Sequence, residues 1–501
     1  MSLSHQDSGP RAWYSFSEFG LVFAALLAYT CAFFLWFPAG PGIRDEAKYL
    51  RQATCFADGH IHVDTLSPEG STYKARPADK PPGTAALMAP LVQLGGPSAA
   101  FLLSLLCLWL AVGFTGLLLR NLGHSPVWSM VILCYPPSLV LGRAAMSDVP
   151  SMAFAAIGLW AFFSGMGTCR TRSLLAGFIA GLSLLLRETN VLVFIPLFLG
   201  SLIRRDRTVI WLVLGGLVGT AIRMWAVSLV FGDPINMRET GFIYGFGISA
   251  LGDNLLIYSA ALLIMVPGGL WFALRYRGSR HPEVIATVVV VLLFFTFYEY
   301  SGSESSGVTR LIVTPRFLLS ILPLLALAMA ETVPRSFPGL WKMVRRPMPG
   351  LPVRVLGGIV VAGILTAVIA VHPVHASWAN KRLKIRHLIE QTVPADSCIV
   401  GTKGVIPQYV DDLGRSVSLD PRTANGRDEA LQAIAAELPR TCPRIILVVL
   451  QRTDSPFWRQ ISDQNLEMVA LLKQRCVLRE IANEQVNAHN QVIMFELTEC
   501  R

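Results

Sequence analysis

Apolar segments of about 20 residues, separated by short polar stretches, recur along the first three quarters of the chain. A helix that crosses the hydrocarbon core of a membrane needs about 20 predominantly apolar residues. The candidate segments are 19–38, 97–119, 127–144, 149–167, 173–187, 190–203, 208–231, 254–274, 283–300, 317–333 and 353–372. The fifth and sixth are short and could form one interrupted passage. The pattern therefore predicts a polytopic α-helical membrane protein with about 11 transmembrane helices.

The pattern changes after about residue 376, where short β-rich runs alternate with helical periodicity. The β-rich runs are Cys398 to Val400, Ile445 to Leu450 and Gln491 to Leu497, and the helical patterns are 428–438 and 464–475. Such alternation is typical of a small α/β domain. We therefore predict two domains, a transmembrane domain over 1–375 with a long first outer loop at 39–96, and a soluble α/β domain over 376–501.

Composition supports the membrane assignment. The 501 residues are 53% hydrophobic and 15% charged, with a mean hydropathy of +0.50, whereas soluble proteins carry about 25% charged residues. The formal net charge is +10. Residues 1–375 hold 27 Lys and Arg against 18 Asp and Glu, so the excess positive charge lies in the apolar part. These basic residues stand at helix ends rather than on one soluble face, which excludes a nucleic-acid partner.

Basic residues in short loops predict the orientation. Loops that hold Arg204, Arg205 and Arg207, or Lys342, Arg345 and Arg346, fall on one side, and such loops are retained in the cytoplasm. The first apolar run is too long for a signal-peptide core, so we expect an uncleaved anchor. The N-terminus is then cytoplasmic, and the first outer loop and the C-terminal domain are extracytoplasmic. We expect a multi-pass protein of a bacterial inner membrane.

Four cysteines lie in the C-terminal region, at Cys398, Cys442, Cys476 and Cys500. An even number in an extracytoplasmic domain permits two disulfides, and four buried thiols are an equally good interpretation.

Two adjacent acids, Asp45 and Glu46, stand just beyond the first span. Ionisable groups near hydrocarbon are energetically expensive, so they mark functional positions. A carboxylate there could act as a base, hold a metal or form a structural ion pair. Adjacent carboxylates can raise one another's pKa, but side chains of neighbouring residues often diverge, and the coupling is then small.

The first outer loop closes on Arg76-Pro77-Ala78-Asp79-Lys80-Pro81-Pro82-Gly83. Prolines restrict the backbone on both sides of Lys80, which holds this lysine on a stiff, non-helical corner. A lysine at a membrane face can bind a lipid phosphate, or it can simply extend its side chain to the interface.

Further charges lie at the ends of later spans. Asp148 precedes Pro150 at the start of a helix, where it could cap the helix or serve as a second acid. Arg143 lies about one turn inside the preceding span, and Arg316 follows Thr314-Pro315. Arg187 and Glu188 could neutralise each other, and Arg223 could pair inside the bundle. Together, cations and carboxylates on one side of a bundle form a pattern for binding an anionic lipid head group beside a base.

In these motifs the chain resembles the GT-C glycosyltransferases, in the branch that contains protein O-mannosyltransferases and the lipid A aminoarabinose transferase. The resemblance covers about residues 15–335 and none of the C-terminal domain. It rests on four short motifs in the right order: Asp45-Glu46 with Tyr49, Asp79-Lys80-Pro81-Pro82, Ser147-Asp148-Val149-Pro150, and Pro315-Arg316-Phe317-Leu318-Leu319.

The resemblance implies an enzyme that moves a hexosyl or pentosyl group from a polyprenyl-phosphate carrier to a hydroxyl acceptor, typically with inversion. The acceptor is a lipid, a glycan or a protein at the extracytoplasmic face. It implies a catalytic role for Asp45, Glu46 and Asp148, and donor-phosphate binding by Lys80, Arg316 and Arg143. Asp79 stands where the aminoarabinose transferase has a metal-binding acid. The sequence offers no clear histidine partner, so a divalent metal stays open and no cofactor is required.

Two other functions would also use many spans. A lipid-linked glycan ligase or polymerase would favour a large, arginine-rich late outer loop rather than an acidic first loop. A transporter of lipid-linked sugars would place charges near the midplane of the membrane and show repeated broken helices. Here the charges crowd one interface and no internal repeat is evident, which favours the transferase.

Overall fold

The chain is described by a computed structural model. The structure describes residues 11–500 except 166–167, 236–244, 267, 301–309, 311–313, 339–350, 403–404, 411–412, 420–423 and 454–455. The predicted cytoplasmic cluster Lys342, Arg345 and Arg346, and most of the stretch between residues 301 and 313, lie outside the described residues.

The first part of the chain is helical apart from one short hairpin. Its helices are α1 (Arg11–Leu35), α2 (Arg44–Ala57), α3 (Pro82–Gly95), α4 (Leu102–Asn121), α5 (Val131–Cys134), α6 (Pro136–Leu141), α7 (Asp148–Gly165), α8 (Arg170–Ser183), α9 (Val191–Ile203), α10 (Val209–Phe231), α11 (Leu251–Ala260), α12 (Gly269–Arg275), α13 (His281–Phe297) and α14 (Leu322–Ser336). Short 3₁₀ segments cover Pro97–Phe101, Pro126–Met130, Glu188–Asn190 and Pro315–Ile321, and a π-helical turn covers Ala261–Met265.

Five helical segments of the described chain are long and apolar enough to cross a membrane. They are Glu18–Leu35, Pro97–Asn121, Asp148–Gly165, Val209–Phe231 and Pro315–Ser336. Other apolar helices, such as Glu188–Ile203 and His281–Phe297, are shorter. The protein is therefore a helical membrane protein, and the predicted count of about 11 spans is not confirmed.

The predicted span 127–144 is wrong as one continuous helix. It is divided among a 3₁₀ turn, α5 and α6, with extended backbone at Tyr135. Pro136 and Pro137 explain the interruption, because proline has no amide hydrogen and disfavours helical backbone at the residue before it.

Residues 39–96, the predicted first outer loop, are folded. They contain α2, an antiparallel hairpin of β1 (Val63–Leu66) and β2 (Thr72–Ala75), and then α3. The segment after β2 is irregular, with bends at residues 77, 79 and 80, and Pro81 and Pro82 end it and start α3, since proline is favoured in the first helical turn. The loop thus places two helix starts, those of α2 and α3, next to the membrane part.

The C-terminal part begins with the helix α15 (Leu351–Thr392), which is 42 residues long. A five-stranded mixed sheet follows in the order β4 (Ser416–Leu419), β3 (Ser397–Thr402), β5 (Arg444–Arg452), β7 (Asn490–Thr498), β6 (Val477–Asn487). Its helices are α16 (Ile406–Tyr409), α17 (Ala424–Ala436), α18 (Leu438–Thr441) and α19 (Pro456–Lys473). This is the α/β architecture expected from the sequence, and the boundary at 375/376 stays a prediction.

The C-terminal part packs on the first outer loop. Leu66 of the hairpin belongs to the same buried apolar cluster as Val417 and Leu438 of the sheet domain. The guanidinium of Arg51 donates to the carbonyl of Val410, at 2.8 Å. Two disulfides, Cys398–Cys442 and Cys476–Cys500, cross-link segments of the sheet domain.

Candidate active site

The acidic motif Asp45-Glu46 lies in the first turn of α2. Hydrogen bonds from backbone amides fix the side chain of Glu46 there. Glu46 is the third residue of α2, and its Oε2 accepts the amides of Gly42 and Ile43 at 2.7 and 2.6 Å. This carboxylate therefore satisfies amides that a helix start leaves without partners. Its other oxygen accepts the amide of Ala145, at 2.8 Å. Glu46 is fully buried, with both oxygens occupied.

Asp45 points to a different set of partners. Its Oδ1 lies 3.0 Å from the Nζ of Lys80, and its Oδ2 lies 3.9 Å from an Nη of Arg316. The side chain keeps 23% of its surface exposed, against 17% for Lys80 and 10% for Arg316. Asp45 is thus the accessible member of the acidic pair, and two cations flank it.

Two neighbouring cations set the pKa of Asp45, which lies at the start of α2. Burial alone would raise this pKa, but the ammonium of Lys80 and the guanidinium of Arg316 outweigh burial and hold it well below its ordinary range. For Glu46, burial is likewise outweighed by His375 and by the amides of Ile43 and Ala145, so its pKa is also lowered. The two carboxylates therefore do not raise one another's pKa; their side chains diverge, which is the alternative that the sequence left open, and each meets its own donors.

Arg316 joins Asp45 to Asp148. The Nε of Arg316 lies 3.9 Å from the Oδ1 of Asp148, and Arg187 donates a hydrogen bond to the same oxygen. Only 1% of the Asp148 side chain is exposed. Asp148 is the first residue of α7, so it also lies at the positive end of that helix. Asp148 is therefore a buried carboxylate that forms ion pairs with two guanidinium groups.

Of the alternatives for Arg187, neutralisation by Glu188 is not seen, because Arg187 pairs with Asp148 instead. Glu188 lies 3.5 Å from Arg223, as expected for an arginine that finds its partner inside the bundle. Arg187 therefore joins the site, although the sequence placed it only among boundary charges. Two guanidinium groups that share Asp148 could not be inferred from residues so far apart in the chain.

The ring of Phe317 packs against the guanidinium groups of Arg187 and Arg316. The Cζ atoms of Arg187 and Arg316 lie 4.9 and 5.3 Å from the centre of the Phe317 ring. Phe317 in turn stacks on Phe295, with ring centres 4.7 Å apart. Cation–π contact of this kind fixes the planes of guanidinium groups. The turn that carries Arg316 is itself fixed by Tyr135, whose hydroxyl donates to the carbonyl of Pro315 at 2.7 Å.

The Lys80 corner is also fixed by the backbone. The amide of Gly83 donates to the carbonyl of Leu185, at 3.1 Å. A Cβ at position 83 would lie only 2.6 Å from that carbonyl oxygen, so glycine is required for the close approach. Gln52 of α2 donates to the carbonyl of Lys80 at 3.3 Å. The corner is thus tied to α2 on one side and to the segment just before Arg187 on the other.

A second ion pair lies beside the first. The Nζ of Lys48 contacts both oxygens of Asp79, at 2.6 and 2.8 Å. Lys48 follows Asp45 by three residues on α2, and Asp79 directly precedes Lys80 in the loop. The two ion pairs therefore lie side by side and connect the same helix to the same loop. Sequence reasoning missed Lys48, although its spacing from Asp45 on a helical pattern was the available signal.

The residues around Asp79 do not fit a divalent cation. An ammonium covers both oxygens of its carboxylate. Among the described residues, no group of three or more His, Cys, Asp and Glu side chains could hold a metal. Hard divalent cations need several oxygen or nitrogen ligands, and Asp79 does not form such a site with the described residues.

Arg143 lies in a separate buried cluster. Its Nε donates to the Nδ1 of His375 at 3.2 Å, and an Nη donates to the carbonyl of Trp36. The side chain is fully buried. The structure therefore places Arg143 with His375 and Trp36, and does not bring it together with the other predicted phosphate ligands.

The cluster can hold an anion next to a carboxylate. Four cations, Lys48, Lys80, Arg187 and Arg316, face the three carboxylates of Asp45, Asp79 and Asp148. The set carries a net positive charge when all are ionised. The hydroxyl of Tyr258 is also buried within electrostatic range of Arg316 and Arg187. It makes no hydrogen bond within the described chain. A bound ligand could take that hydroxyl as a partner.

No protein-family model matches the sequence, and no curated protein sequence matches it. Solved structures do match. The structure of ArnT from Cupriavidus metallidurans bound to undecaprenyl phosphate covers 95% of this chain and 98% of its own, with 16% identity and a TM-score of 0.59. The apo oligosaccharyltransferase of Archaeoglobus fulgidus covers 88% of this chain and 70% of its own, with 9% identity and a TM-score of 0.55.

A further structure of that oligosaccharyltransferase, tethered to an acceptor peptide containing the NVT sequon, has a TM-score of 0.54 over 99% of this chain. These proteins are GT-C superfamily glycosyltransferases. At such low identity the likeness establishes the fold. This chain therefore has the GT-C fold.

Proposed function

We propose that this protein is a membrane glycosyltransferase that moves a sugar from a polyprenyl-phosphate carrier to a hydroxyl acceptor at the extracytoplasmic face. The observation that carries the proposal is the accessible carboxylate of Asp45 between Lys80 and Arg316. A base and two phosphate-binding cations at one point are what this reaction needs. The structural likeness to ArnT bound to undecaprenyl phosphate supports this donor class.

In the proposed reaction the acceptor hydroxyl attacks the anomeric carbon of the donor while Asp45 takes the hydroxyl proton. The new carbon–oxygen bond forms as the bond between the anomeric carbon and the phosphate oxygen breaks. The phosphate leaves on the lipid and gains one negative charge as it changes from diester to monoester. Lys80 and Arg316 stabilise this charge. A single displacement of this kind inverts the anomeric configuration.

Asp45 in the free protein is ionised but is a weak base, because Lys80 and Arg316 lower its pKa. A donor phosphate competes with Asp45 for the same two cations. Sharing them weakens their hold on the carboxylate, so the pKa of Asp45 rises when the donor binds. The base thereby becomes effective when there is a sugar to transfer.

The other predicted site residues take supporting roles in this proposal. Asp148 orients Arg187 and Arg316, because it is buried against both guanidinium groups. Glu46 caps α2 and holds Asp45 in place, since both of its oxygens are occupied. Arg143 acts from the buried cluster around His375 rather than on the donor phosphate.

The location of the site supports an extracytoplasmic reaction. The disulfides Cys398–Cys442 and Cys476–Cys500 belong to the C-terminal domain, and disulfides persist in oxidising compartments. That domain contacts the loop that carries the site, for example from Arg51 to Val410. We therefore place the site, the first outer loop and the C-terminal domain on the outer face of a bacterial inner membrane, with the N-terminus in the cytoplasm.

A binding experiment and a comparison of glycans test the proposed function. The purified protein in lipid nanodiscs is offered undecaprenyl phosphate and, as the matched control, undecaprenol, which lacks the phosphate. We expect saturable binding of the phosphate only. Mass spectrometry of lipids and glycans from a deletion strain then identifies which sugar is lost from which acceptor. Equal binding of phosphate and alcohol, together with unchanged glycans, would contradict the proposal.

A further inference from the structure

The long helix α15 contacts the site helix α2 through a buried histidine. His375 on α15 is fully buried, and its Nε2 lies 3.2 Å from the Oε2 of Glu46. The Nδ1 of the same ring accepts the Nε hydrogen of Arg143, at 3.2 Å. Glu46 follows Asp45 directly in the first turn of α2. One side chain thus joins the C-terminal helix to the turn that carries the proposed base.

The contacts determine the tautomer of His375. An arginine side chain can only donate hydrogen bonds, so Nδ1 must be the acceptor. In the neutral ring the hydrogen then lies on Nε2, which donates to Glu46. The chain of donors runs from Arg143 through His375 to Glu46 and leaves neither ring nitrogen without a partner.

Additional contacts hold the same turn from the same helix. The Nε of Arg382, also on α15, donates to the carbonyl of Gly42 at 2.9 Å. A Cβ at position 42 would lie 3.1 Å from the Nε2 of His375, so the helix and the turn approach closely. The amide of Gly42 donates to Glu46 as well. The turn at 42–46 is therefore held by α15 from two positions about two helical turns apart.

We propose that His375 is a positioning residue for the sugar transfer. Through Glu46 it fixes the first turn of α2, and so places the carboxylate of Asp45 for proton removal. His375 and Arg382 both lie on α15, so the helix that leads into the C-terminal sheet domain orients the base. The inference rests on the proposed function and assigns no contact between His375 and substrate.

Three variants test the proposal in the full-length protein. His375→Phe keeps a ring but removes both nitrogens, and His375→Gln restores a side-chain nitrogen that can donate to Glu46. His372→Phe is the matched control, because His372 is fully buried on the same helix and packs edge-on against Tyr29, 5.2 Å away. Misplacement of a catalytic group by a fraction of an ångström to 1 Å costs up to about 100-fold in rate.

We expect His375→Phe to lower kcat about 10- to 100-fold with the donor KM within about twofold, because Lys80 and Arg316 are not its partners. We expect His375→Gln to recover most of kcat and His372→Phe to leave it within about twofold. Equal loss of kcat in His375→Phe and His372→Phe, or a donor KM that rises as kcat falls, would overturn the proposal.

Hydrogen exchange provides a readout that needs no activity. The amides of Gly42 and Ile43 donate to Glu46, so His375→Phe should speed exchange in peptides that cover residues 40–50. His372→Phe should leave those peptides unchanged. Unchanged exchange in His375→Phe would overturn the positioning role. A wild-type protein that transfers no sugar would contradict the proposed function instead, and the exchange result would still decide whether His375 holds the turn.

Discussion

The ammonium of Lys80 lies 3.0 Å from the carboxylate of Asp45, although the two residues stand at opposite ends of the first outer loop. The second pair, Lys48 with Asp79, repeats the connection one helical turn away. The hairpin of β1 and β2 fills the chain between the two ends. The loop therefore folds back so that its last residues complete a site that its first residues begin.

Replacing Lys80 with methionine should impair use of the donor. Methionine is one atom shorter than lysine and lacks the charge that, in the proposed function, faces the leaving phosphate. Removal of one such group in an active site costs about 100- to 1,000-fold in turnover. We expect a loss of this size in kcat/KM for the lipid-linked sugar, measured with purified protein in nanodiscs.

The control for this variant is Lys74→Met. Lys74 lies in the same loop, but its side chain is 69% exposed and pairs with Asp64 on the surface of the hairpin. We expect transfer by Lys74→Met to match the wild type. A Lys80→Met protein as active as Lys74→Met would remove Lys80 from the donor site.

Replacing Gly83 with alanine should displace the Lys80 corner. The added Cβ would meet the carbonyl oxygen of Leu185 at 2.6 Å, so one of the two backbones must move. We expect a lower midpoint of thermal unfolding and weaker donor binding. Gly113→Ala is the control, because nothing lies within 4 Å of a Cβ at that helical position. Equal thermal and binding behaviour of the two variants would show that the corner tolerates the change.

The ion pairs of Asp45 predict how its contribution to stability depends on pH. Its pKa in the folded protein is below the ordinary value of about 3.9, so the unfolded chain binds its proton first as pH falls. The pairing therefore stabilises the fold fully above about pH 4, and its contribution is lost progressively as pH falls from there through the lower pKa of the folded protein. An asparagine in place of Asp45 would lack the charge at every pH.

We accordingly expect Asp45→Asn to lower the midpoint of thermal unfolding at pH 7 by about 1–3 °C, and the difference from wild type to shrink as pH falls below about 4. Scanning calorimetry or fluorescence of the detergent-purified proteins gives the comparison. A difference that grows on acidification would show that the pKa of Asp45 is raised rather than lowered.

The C-terminal disulfides predict a pattern of thiol reactivity. Cys398, Cys442, Cys476 and Cys500 are paired, whereas Cys31, Cys55, Cys107, Cys134 and Cys169 are free. In protein denatured without reductant, we expect a maleimide to label the five free thiols only. Reduction should add four labelled sites, all in the C-terminal domain. Labelling of all nine cysteines before reduction would contradict both the pairing and the oxidising compartment.

Much of the architecture could be predicted from the sequence, because it depends on local patterns. Apolar run length indicated the membrane helices, and β-rich runs indicated β3, β5 and β7. The strand β6 was missed because many of its residues are exposed and polar, as in Arg479, Glu480 and Glu484. An edge strand of this kind lacks the apolar signal that marks buried strands.

The site was predicted less completely, because pairing depends on distance rather than on sequence order. Charges in the first outer loop and at the ends of later spans identified Asp45, Lys80, Asp148 and Arg316, which the structure brings together. Side-chain direction was not accessible from the sequence, so the different surroundings of Asp45 and Glu46 could not be foreseen. Partners from distant segments, such as His375, had no local signal beyond a histidine close to the end of an apolar run.

The central claim is that Asp45 is the base for sugar transfer. The most direct measurement compares transfer of a labelled sugar from its polyprenyl-phosphate carrier by wild type, Asp45→Asn and the control Asp64→Asn, an exposed acid of the same loop. We expect Asp45→Asn to lose at least about 100-fold in kcat while it still binds undecaprenyl phosphate, and Asp64→Asn to remain active. Undiminished transfer by folded Asp45→Asn protein would contradict the claim.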